Sequence, residues 1–501
     1  VEATPKIIGV VGAGVMGRGI VQLFAQAGHV VRLFDARPGV AAEARTAVGG
    51  LLERLVAKGV LQPAALAACM ANMQVCDALA ELAGCDVVVE AIIEELGAKQ
   101  ALFRDLEEVV DPATILASNT SSLTVSAIAA SCRRPERIAG LHFFNPVPLM
   151  KIAEIIPGIR TTPAVVETLR HLIEAAGHQT VTASDQPGFL INHAGRGLYS
   201  EGFRIVEEQV ADFAAVDRIM RDCCGFRMGP FELMDLTGLD VSGKVMQSIF
   251  EQFQQEPRYR PSSLVPARLA AGLFGRKTGE GFYKYDGVQK LEPAEPAPPA
   301  DVTLGAVWVG EGDRRAELLK LLRQAGAEIV ERPESAAAVV LMPWGEDITT
   351  AAQRLGLDPA LAVGVDPLLH WDKRRVVMSG PATGAAARNL LHGLLGADGA
   401  KVTVIADSPG FVSQRVIAMI VNIACEIAQR GIARASEIDP AIRIGLGYPA
   451  GPLELGDKIG PARILQILET IEAITGDPRY RPSLWLRRRA MLGLSLRHVA
   501  G

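Results

Sequence analysis

The sequence predicts an α/β doubly wound domain followed by an all-α domain, then a degenerate α/β domain and a second copy of the all-α domain. Three observations carry this. A Gly12-x-Gly14-x-x-Gly17 turn lies between an apolar, β-branched run and a helical pattern. Short apolar runs then alternate with helical stretches as far as residue 184, after which long helical periodicity takes over. Finally, blocks of the first half return some 222 residues later. The expected boundaries are 1–184, 185–288, a linker at 289–300, 301–406 and 407–501.

Taken in order, residues 6–11 read as a strand ending at the glycine turn, 15–27 as a helix closed by Gly28, and 29–34 as a second strand ending on Asp35. That is a βαβ unit of the Rossmann type. Further strands are expected at 87–89, 115–117 and 138–141 in a parallel sheet. From Asp185 to about Met246 the pattern is helical, broken at Gly225 and Gly229-Pro230. Residues 291–300, with Pro293, Pro296, Pro298 and Pro299, read as a linker.

The repeat is visible by direct comparison. Asp185-Gln186-Pro187-Gly188-Phe189 recurs as Asp407-Ser408-Pro409-Gly410-Phe411, and Gly229-Pro230-Phe231-Glu232-Leu233 as Gly451-Pro452-Leu453-Glu454-Leu455, both offset by 222. Pro257-Arg258-Tyr259-Arg260-Pro261-Ser262 returns as Pro478-Arg479-Tyr480-Arg481-Pro482-Ser483 at an offset of 221. Between these blocks, 301–406 again alternates strand and helix. Where a nucleotide turn would sit it offers only Gly310-Glu311-Gly312-Asp313, without the third glycine and with two carboxylates, so this domain is expected to bind no dinucleotide.

Composition narrows the function classes. The 501 residues, 49% hydrophobic and 21% charged, suit several packed cores. A net charge of -5 without a Lys/Arg block gives no footprint for nucleic acid or an acidic membrane surface. The seven cysteines form no CxxC and the eight histidines are scattered, so reduced thiols and no metal site are expected. With no apolar run of about 20 residues and no leader-like segment, the expected location is cytoplasmic.

The chemistry begins at the turn. Gly12, Gly14 and Gly17 permit the tight turn, the close approach of a pyrophosphate and the packing of helix on strand, with Val15 and Met16 on the same loop. Asp35 would accept from the ribose hydroxyls and favour NAD over NADP, a preference that Arg37 tempers. An ordinary turn with a capping acid would leave the three-glycine spacing without a cause. Downstream, His142 reads either as a general base for a hydroxyl proton or as a core histidine. Glu154 reads either as the carboxylate that orients it or as a surface-facing strand residue. Among Asn119, Ser121 and Ser122, one hydroxyl is expected to cap a helix over 123–130 and another to face substrate.

Gly12-Ala13-Gly14-Val15-Met16-Gly17, Ser118-Asn119-Thr120-Ser121-Ser122-Leu123, His142-Phe143-Phe144-Asn145-Pro146, Gly188-Phe189-Leu190-Ile191-Asn192 and Gly275-Arg276-Lys277-Thr278-Gly279 together resemble the (S)-3-hydroxyacyl-CoA dehydrogenase family over residues 5–285. The resemblance implies an NAD-dependent oxidation of (3S)-3-hydroxyacyl-CoA to 3-oxoacyl-CoA. It places the catalytic pair on His142 and Glu154 and the substrate contacts on Ser121 and Asn192. The NAD contacts fall on Asp35, Glu94, Lys99, Ser121 and Asn145, and a CoA-contacting lysine on Lys58. Arg196, Arg204 and Arg227 are candidates to meet a terminal carboxylate on the acyl group.

Short members lack the second half, which resembles the family's longer bacterial form, associated with phenylacetate degradation and with 3-hydroxyadipyl-CoA or 3-hydroxybutyryl-CoA. In the repeat, Gln414 stands at the place of Asn192 and no His-Phe-Phe-Asn precedes it, so no second active site is expected. Helical domains pair across a dimer in short members. The second copy here therefore either supplies that packing within one chain, as an internal pseudo-dimer with or without further homo-oligomerisation, or is an evolutionary leftover. The rival readings are an NADP-dependent or free 3-hydroxyacid dehydrogenase of the same superfamily, and a non-enzymatic NAD-binding protein.

Overall fold

The apolar run that opens the chain forms β1 (Ile7–Val11), buried on both faces as its near-continuous hydrophobic sequence requires. The computed structural model describes residues 5–300, 302, 304–368 and 370–499. It divides into two units, Val1–His193 with Arg430–Leu446, and Ala194–Gln429 with Gly447–Gly501. Residues 430–446, expected in the second helical domain, thus pack with the first α/β domain.

In the first unit β1 is joined by β2 (Val30–Phe34), β3 (Met73–Cys76), β4 (Val87–Glu90), β5 (Ile115–Ser118), β6 (Ile138–Phe143), β7 (Ile152–Pro157) and β8 (Gln179–Thr182) in one sheet. The order β3-β2-β1-β4-β5-β6-β7-β8 reverses direction between β1 and β4, which opens a crevice at the carboxyl ends of those strands. The expected parallel sheet needs one correction: β7 runs antiparallel to β6, with His142 opposite Glu154 in the register. Residues 144–151 connect the two as a loop, short enough for an antiparallel return and too short for a crossover helix. Ile8, Val10, Val31, Leu33, Val87 and Val89 form one packed face beneath the helix Val15–Gln26.

The second unit contains the antiparallel hairpin β9 (Lys284–Asp286) and β10 (Gln289–Leu291) and a five-stranded sheet. That sheet comprises β11 (Val307–Val309), β12 (Ala338–Leu341), β13 (Ala362–Val365), β14 (Arg374–Ser379) and β15 (Lys401–Ala406). The expected linker at 289–300 therefore starts with a strand, and the rest is pinned. Glu292 pairs with Arg221 and Lys290, and Glu295 pairs with buried Arg374. Proline removes backbone donors from this segment, but the acids between the prolines anchor it.

Strands β11 to β15 begin within two residues of β4 to β8 shifted by 222, and the antiparallel step recurs between β13 and β14. Helix capping recurs too. The Asp185 carboxylate accepts from Val125 N and Ser126 N, and the Asp407 carboxylate from Ile348 N and Thr349 N. The loop Gly310-Glu311-Gly312-Asp313 follows β11, the edge strand of a sheet whose order is β11-β12-β13-β14-β15.

Beyond β13, Asp366 is buried, accepting from Ser413 Oγ, Gln414 Nε2 and Leu368 N. Burial, only partly offset by these donors, pushes its carboxyl up from 3.8 to about 6. A carboxyl raised on folding costs nothing below its unfolded value, and its penalty grows from about pH 4 to pH 6, reaching roughly 3 kcal/mol above that. Asp366→Asn can keep the Leu368 and Gln414 bonds and donate to Ser413. We expect its melting temperature to exceed that of the wild type at pH 8 and to match it at pH 4; an equal gain at both pH values would refute the buried charge as the cause. Among the described residues no helix is long and apolar enough to cross a membrane, and no group of His, Cys, Asp or Glu is placed to hold a metal.

Candidate active site

At the crevice, the three glycines have separate reasons to be glycine. Gly12 has φ +101°, and a Cβ there would lie 2.5 Å from Ala91 O. A Cβ on Gly17 would lie 1.8 Å from Gly12 O, whereas one on Gly14 meets nothing within 4 Å. The turn and the helix packing demand the outer two; the middle glycine leaves room for something that is not protein. Asp35, at the end of β2, accepts from Ala13 N at 2.9 Å and is forked by Arg37. Burial alone would raise its carboxyl, but the Arg37 guanidinium and the Ala13 and Arg37 amides outweigh it and hold it below the usual carboxylate range.

Opposite strands carry the dyad. His142 Nδ1 and Glu154 Oε2 are 2.6 Å apart, with His142 only 5% exposed and Glu154 not at all. Glu154 is thus no surface-facing residue. Its other oxygen accepts from Leu190 N and Ile191 N, both at 2.9 Å, so a carboxylate in an apolar strand has partners at both ends. Since a carboxylate only accepts, Nδ1 carries a proton, and in the neutral imidazole Nε2 keeps the lone pair. Phe144 and Phe189 flank the imidazole at 4.4 and 5.8 Å between ring centroids. Asn192 follows directly, in the short helix Ile191–Ala194.

A second polar cluster closes β4 and β5. Lys99 Nζ donates to Glu90 Oε1 at 2.6 Å and lies 3.2 Å from Glu94 Oε2; Ser118 Oγ donates to Glu90 Oε2. Glu94 Oε1 in turn accepts from Thr120 Oγ1, Ser121 N, Ser122 N and Ser122 Oγ. Burial would raise Glu94, but Lys99 and these donors outweigh it and keep the carboxyl low. Asn119 Oδ1 accepts from Phe143 N at 2.8 Å, tying the serine loop to the end of the His142 strand.

Two domain profiles match the chain: "3-hydroxyacyl-CoA dehydrogenase, NAD binding domain" over residues 7–186, and "3-hydroxyacyl-CoA dehydrogenase, C-terminal domain" over 188–285 and again over 410–498. The chain is 37% identical over 496 residues to 3-hydroxyadipyl-CoA dehydrogenase of Escherichia coli K12, covering 97% of this chain and 98% of that one. It belongs to the 3-hydroxyacyl-CoA dehydrogenase family. A crystal structure of 3-hydroxybutyryl-CoA dehydrogenase from the same bacterium superposes with a TM-score of 0.85 at 35% identity, covering 98% of this chain and 99% of that one. The 3-hydroxybutyryl-CoA dehydrogenase of Bradyrhizobium diazoefficiens is 36% identical over 289 residues, 58% of this chain and 98% of its own length.

For a dehydrogenase of this family the cofactor is NAD, and the residues present fit it: open space at Gly14, and a carboxylate held ionised at the end of β2. Of the residues expected from sequence, the structure pairs His142 with Glu154, places Asn192 next in the chain to Ile191, whose amide Glu154 holds, and brings Glu94, Lys99 and Ser121 into a second cluster. Val15 and Asn145 are exposed, the latter before a cis proline, and Met16 is half-buried. Lys58 stands exposed at the end of the helix Val40–Ala57 and is outside both clusters. Arg204 is engaged by Glu208 and Asp477, Arg196 is buried over the Tyr199 ring and Arg227 is exposed, all three in the second unit.

The helix-cap expectation is corrected. The helix spans Val125–Ala129, its first amides are capped by Asp185 from sixty residues away, and both serines turn toward Glu94 instead. Sequence reasoning missed Glu90, whose signal was an acid closing the otherwise apolar Val87-Val88-Val89, and the Leu190 and Ile191 amides, which leave no side-chain signal.

Proposed function

We propose that this chain oxidises a (3S)-3-hydroxyacyl-CoA to the 3-oxoacyl-CoA with NAD, and that His142 and Glu154 carry the proton transfer. The observation supporting this most directly is the buried 2.6 Å contact between His142 Nδ1 and Glu154. His142 Nε2 takes the proton of the C3 hydroxyl, and Glu154 stabilises the imidazolium that results. Because Leu190 and Ile191 amides hold the second carboxylate oxygen, Glu154 cannot turn away as charge develops. Ser121 and Asn192 are the donors assigned to the reacting oxygen and the thioester carbonyl. NAD, when bound, supplies the acceptor for the hydride leaving C3. Its contacts are assigned to Gly12, Gly14, Val15, Met16, Gly17, Asp35, Glu94, Lys99, Ser121 and Asn145, and a CoA contact to Lys58.

The full-length relatives carry two names, 3-hydroxyadipyl-CoA and 3-hydroxybutyryl-CoA dehydrogenase, and so supply two acyl groups to choose between; the resemblance to the family's long bacterial form supports a reaction in phenylacetate degradation. Initial rates of NADH oxidation with 3-oxoadipyl-CoA and with acetoacetyl-CoA test this. Turnover of either is expected, faster with NADH than with NADPH. NADH binding without turnover of any thioester would overturn the reading in favour of a binding protein.

Residues 301–501 are read as a degenerate copy of β4 to β8 followed by a second helical domain, which the recurring strand positions, the recurring antiparallel step and the second match of the C-terminal profile support. At the 222-residue offset, Gly364, Val376 and Gln414 replace His142, Glu154 and Asn192, so the copy has no dyad. The helices Arg196–Glu207 and Val412–Gln429 pack together, with Gly197 against Ile420, and the turns Pro257–Tyr259 and Pro478–Tyr480 meet, in support of an internal pseudo-dimer. A reducing compartment such as the cytoplasm suits cysteines of which none of the described ones joins another in a disulfide.

A further inference from the structure

Residues 430–446 belong by sequence to the second helical repeat and by packing to the first unit. The helix Ala435–Gly445 lies against β7 and β8, and Ser184 N, just past β8, donates to Ile432 O at 2.7 Å. The second unit holds the reciprocal contact. There the helix Phe213–Asp222 lies against β14, and Ala406 N donates to Val210 O at 2.9 Å. Ser184 and Ala406, and Val210 and Ile432, are related by the same offset of 222. Each sheet is thus flanked by a helix from the other repeat.

On the catalytic side this helix ends against the residues that hold Glu154. A Cβ on Gly445 would stand 2.6 Å from Ile191 Cδ1 and 3.0 Å from Ile191 Cγ2. Ile191 is fully buried, its N–H donates to Glu154 Oε1, and Asn192 is the next residue. Gly445 is helical, so its backbone does not require glycine; the space does. At the reciprocal position stands Cys223, whose Sγ donates to Arg374 O, so a side chain fits where no dyad is served.

We propose that the second repeat is a working part of the catalytic unit. The helix Ala435–Gly445 clamps residues 184–192, and Gly445 is a positioning residue that sets the Leu190 and Ile191 amides on Glu154 and, through Glu154, the orientation of His142. This rests on the His142–Glu154 reading above. The second half is then no leftover: its contribution to turnover runs through backbone amides and not through a catalytic side chain of its own.

Gly445→Val and the milder Gly445→Ala test the clamp, read by kcat, by the KM for NADH, and by amide exchange of the segment 184–192. Gly445→Val is expected to lower kcat by about tenfold or more, since displacements of about 1 Å cost that much. The KM for NADH should stay within about twofold, and Leu190 and Ile191 should exchange faster. Adding Ile191→Ala should restore most of kcat by making room, and Cys223→Ala should leave kcat unchanged. An unaltered kcat in both Gly445 variants, or a loss of kcat with exchange at 184–192 unaltered, overturns the proposal; should Gly445→Val not fold, Gly445→Ala decides by the same readings. Absence of turnover in the wild type would remove the functional reading alone, because exchange at 184–192 judges the clamp independently.

Discussion

His142→Ala should lower kcat by about 10²- to 10⁴-fold while leaving NADH affinity within about twofold. The imidazole is the group with a free lone pair beside the crevice, and it has no backup: Glu154, the nearest carboxylate, has both oxygens engaged by His142 Nδ1, Leu190 N and Ile191 N. Glu154→Gln should approach the same loss, because an amide meets Nδ1–H or the two backbone N–H groups with a donor where only an acceptor fits. The two losses should not add, since both remove one unit of charge stabilisation. Stopped-flow rates with acetoacetyl-CoA and a fluorescence titration of NADH separate chemistry from binding. Retention of more than about a tenth of the wild-type rate by His142→Ala would falsify its assignment as general base.

Gly17→Ala should weaken NADH binding by about tenfold or more and also lower the melting temperature, as overpacking by one methyl costs about 1–3 kcal/mol. Its Cβ would sit 1.8 Å from the Gly12 carbonyl oxygen, a backbone atom that cannot move without opening the turn. Gly14→Ala makes the contrast. Nothing in the protein lies within 4 Å of that Cβ, so its melting temperature should equal that of the wild type while NADH affinity falls. Measuring both quantities for both variants tests the division of labour. A Gly17→Ala protein that binds NADH as the wild type does would refute it.

The nucleotide turn was legible because its spacing is a local signal: the carbonyl of Gly12 excludes a side chain from Gly17 five residues on, although the close approach of Ala91 to Gly12 comes from the end of β4. His142 and Glu154 were each legible as residues, but their pairing rests on the antiparallel return of β7, and a parallel strand would have put them out of register. The roles of Glu90 and Asp185 were hidden because each is completed by a partner far along the chain: Ser118 for the first, beside the nearer Lys99, and Val125 and Ser126 for the second. In the second half, the helical blocks announced their kinship through Pro, Gly and Tyr at fixed positions. The strands β11 to β15 begin within two residues of β4 to β8 at the same offset while sharing little sequence with them, as a buried strand constrains volume and polarity more than identity.

The exchange of helices between the two repeats also orders events during synthesis. When the first 300 residues have left the ribosome, His142, Glu154 and Asn192 are all present, yet the helix Ala435–Gly445 that flanks β7 and β8 is still unmade. At about 5–20 residues per second, the segment through Leu446 takes roughly 7–30 s more. Throughout that interval β8 and the backbone N–H of Ser184 are without the partner they have in the finished protein. The nascent chain therefore passes through a stage in which its chemistry is encoded but its catalytic unit is unfinished.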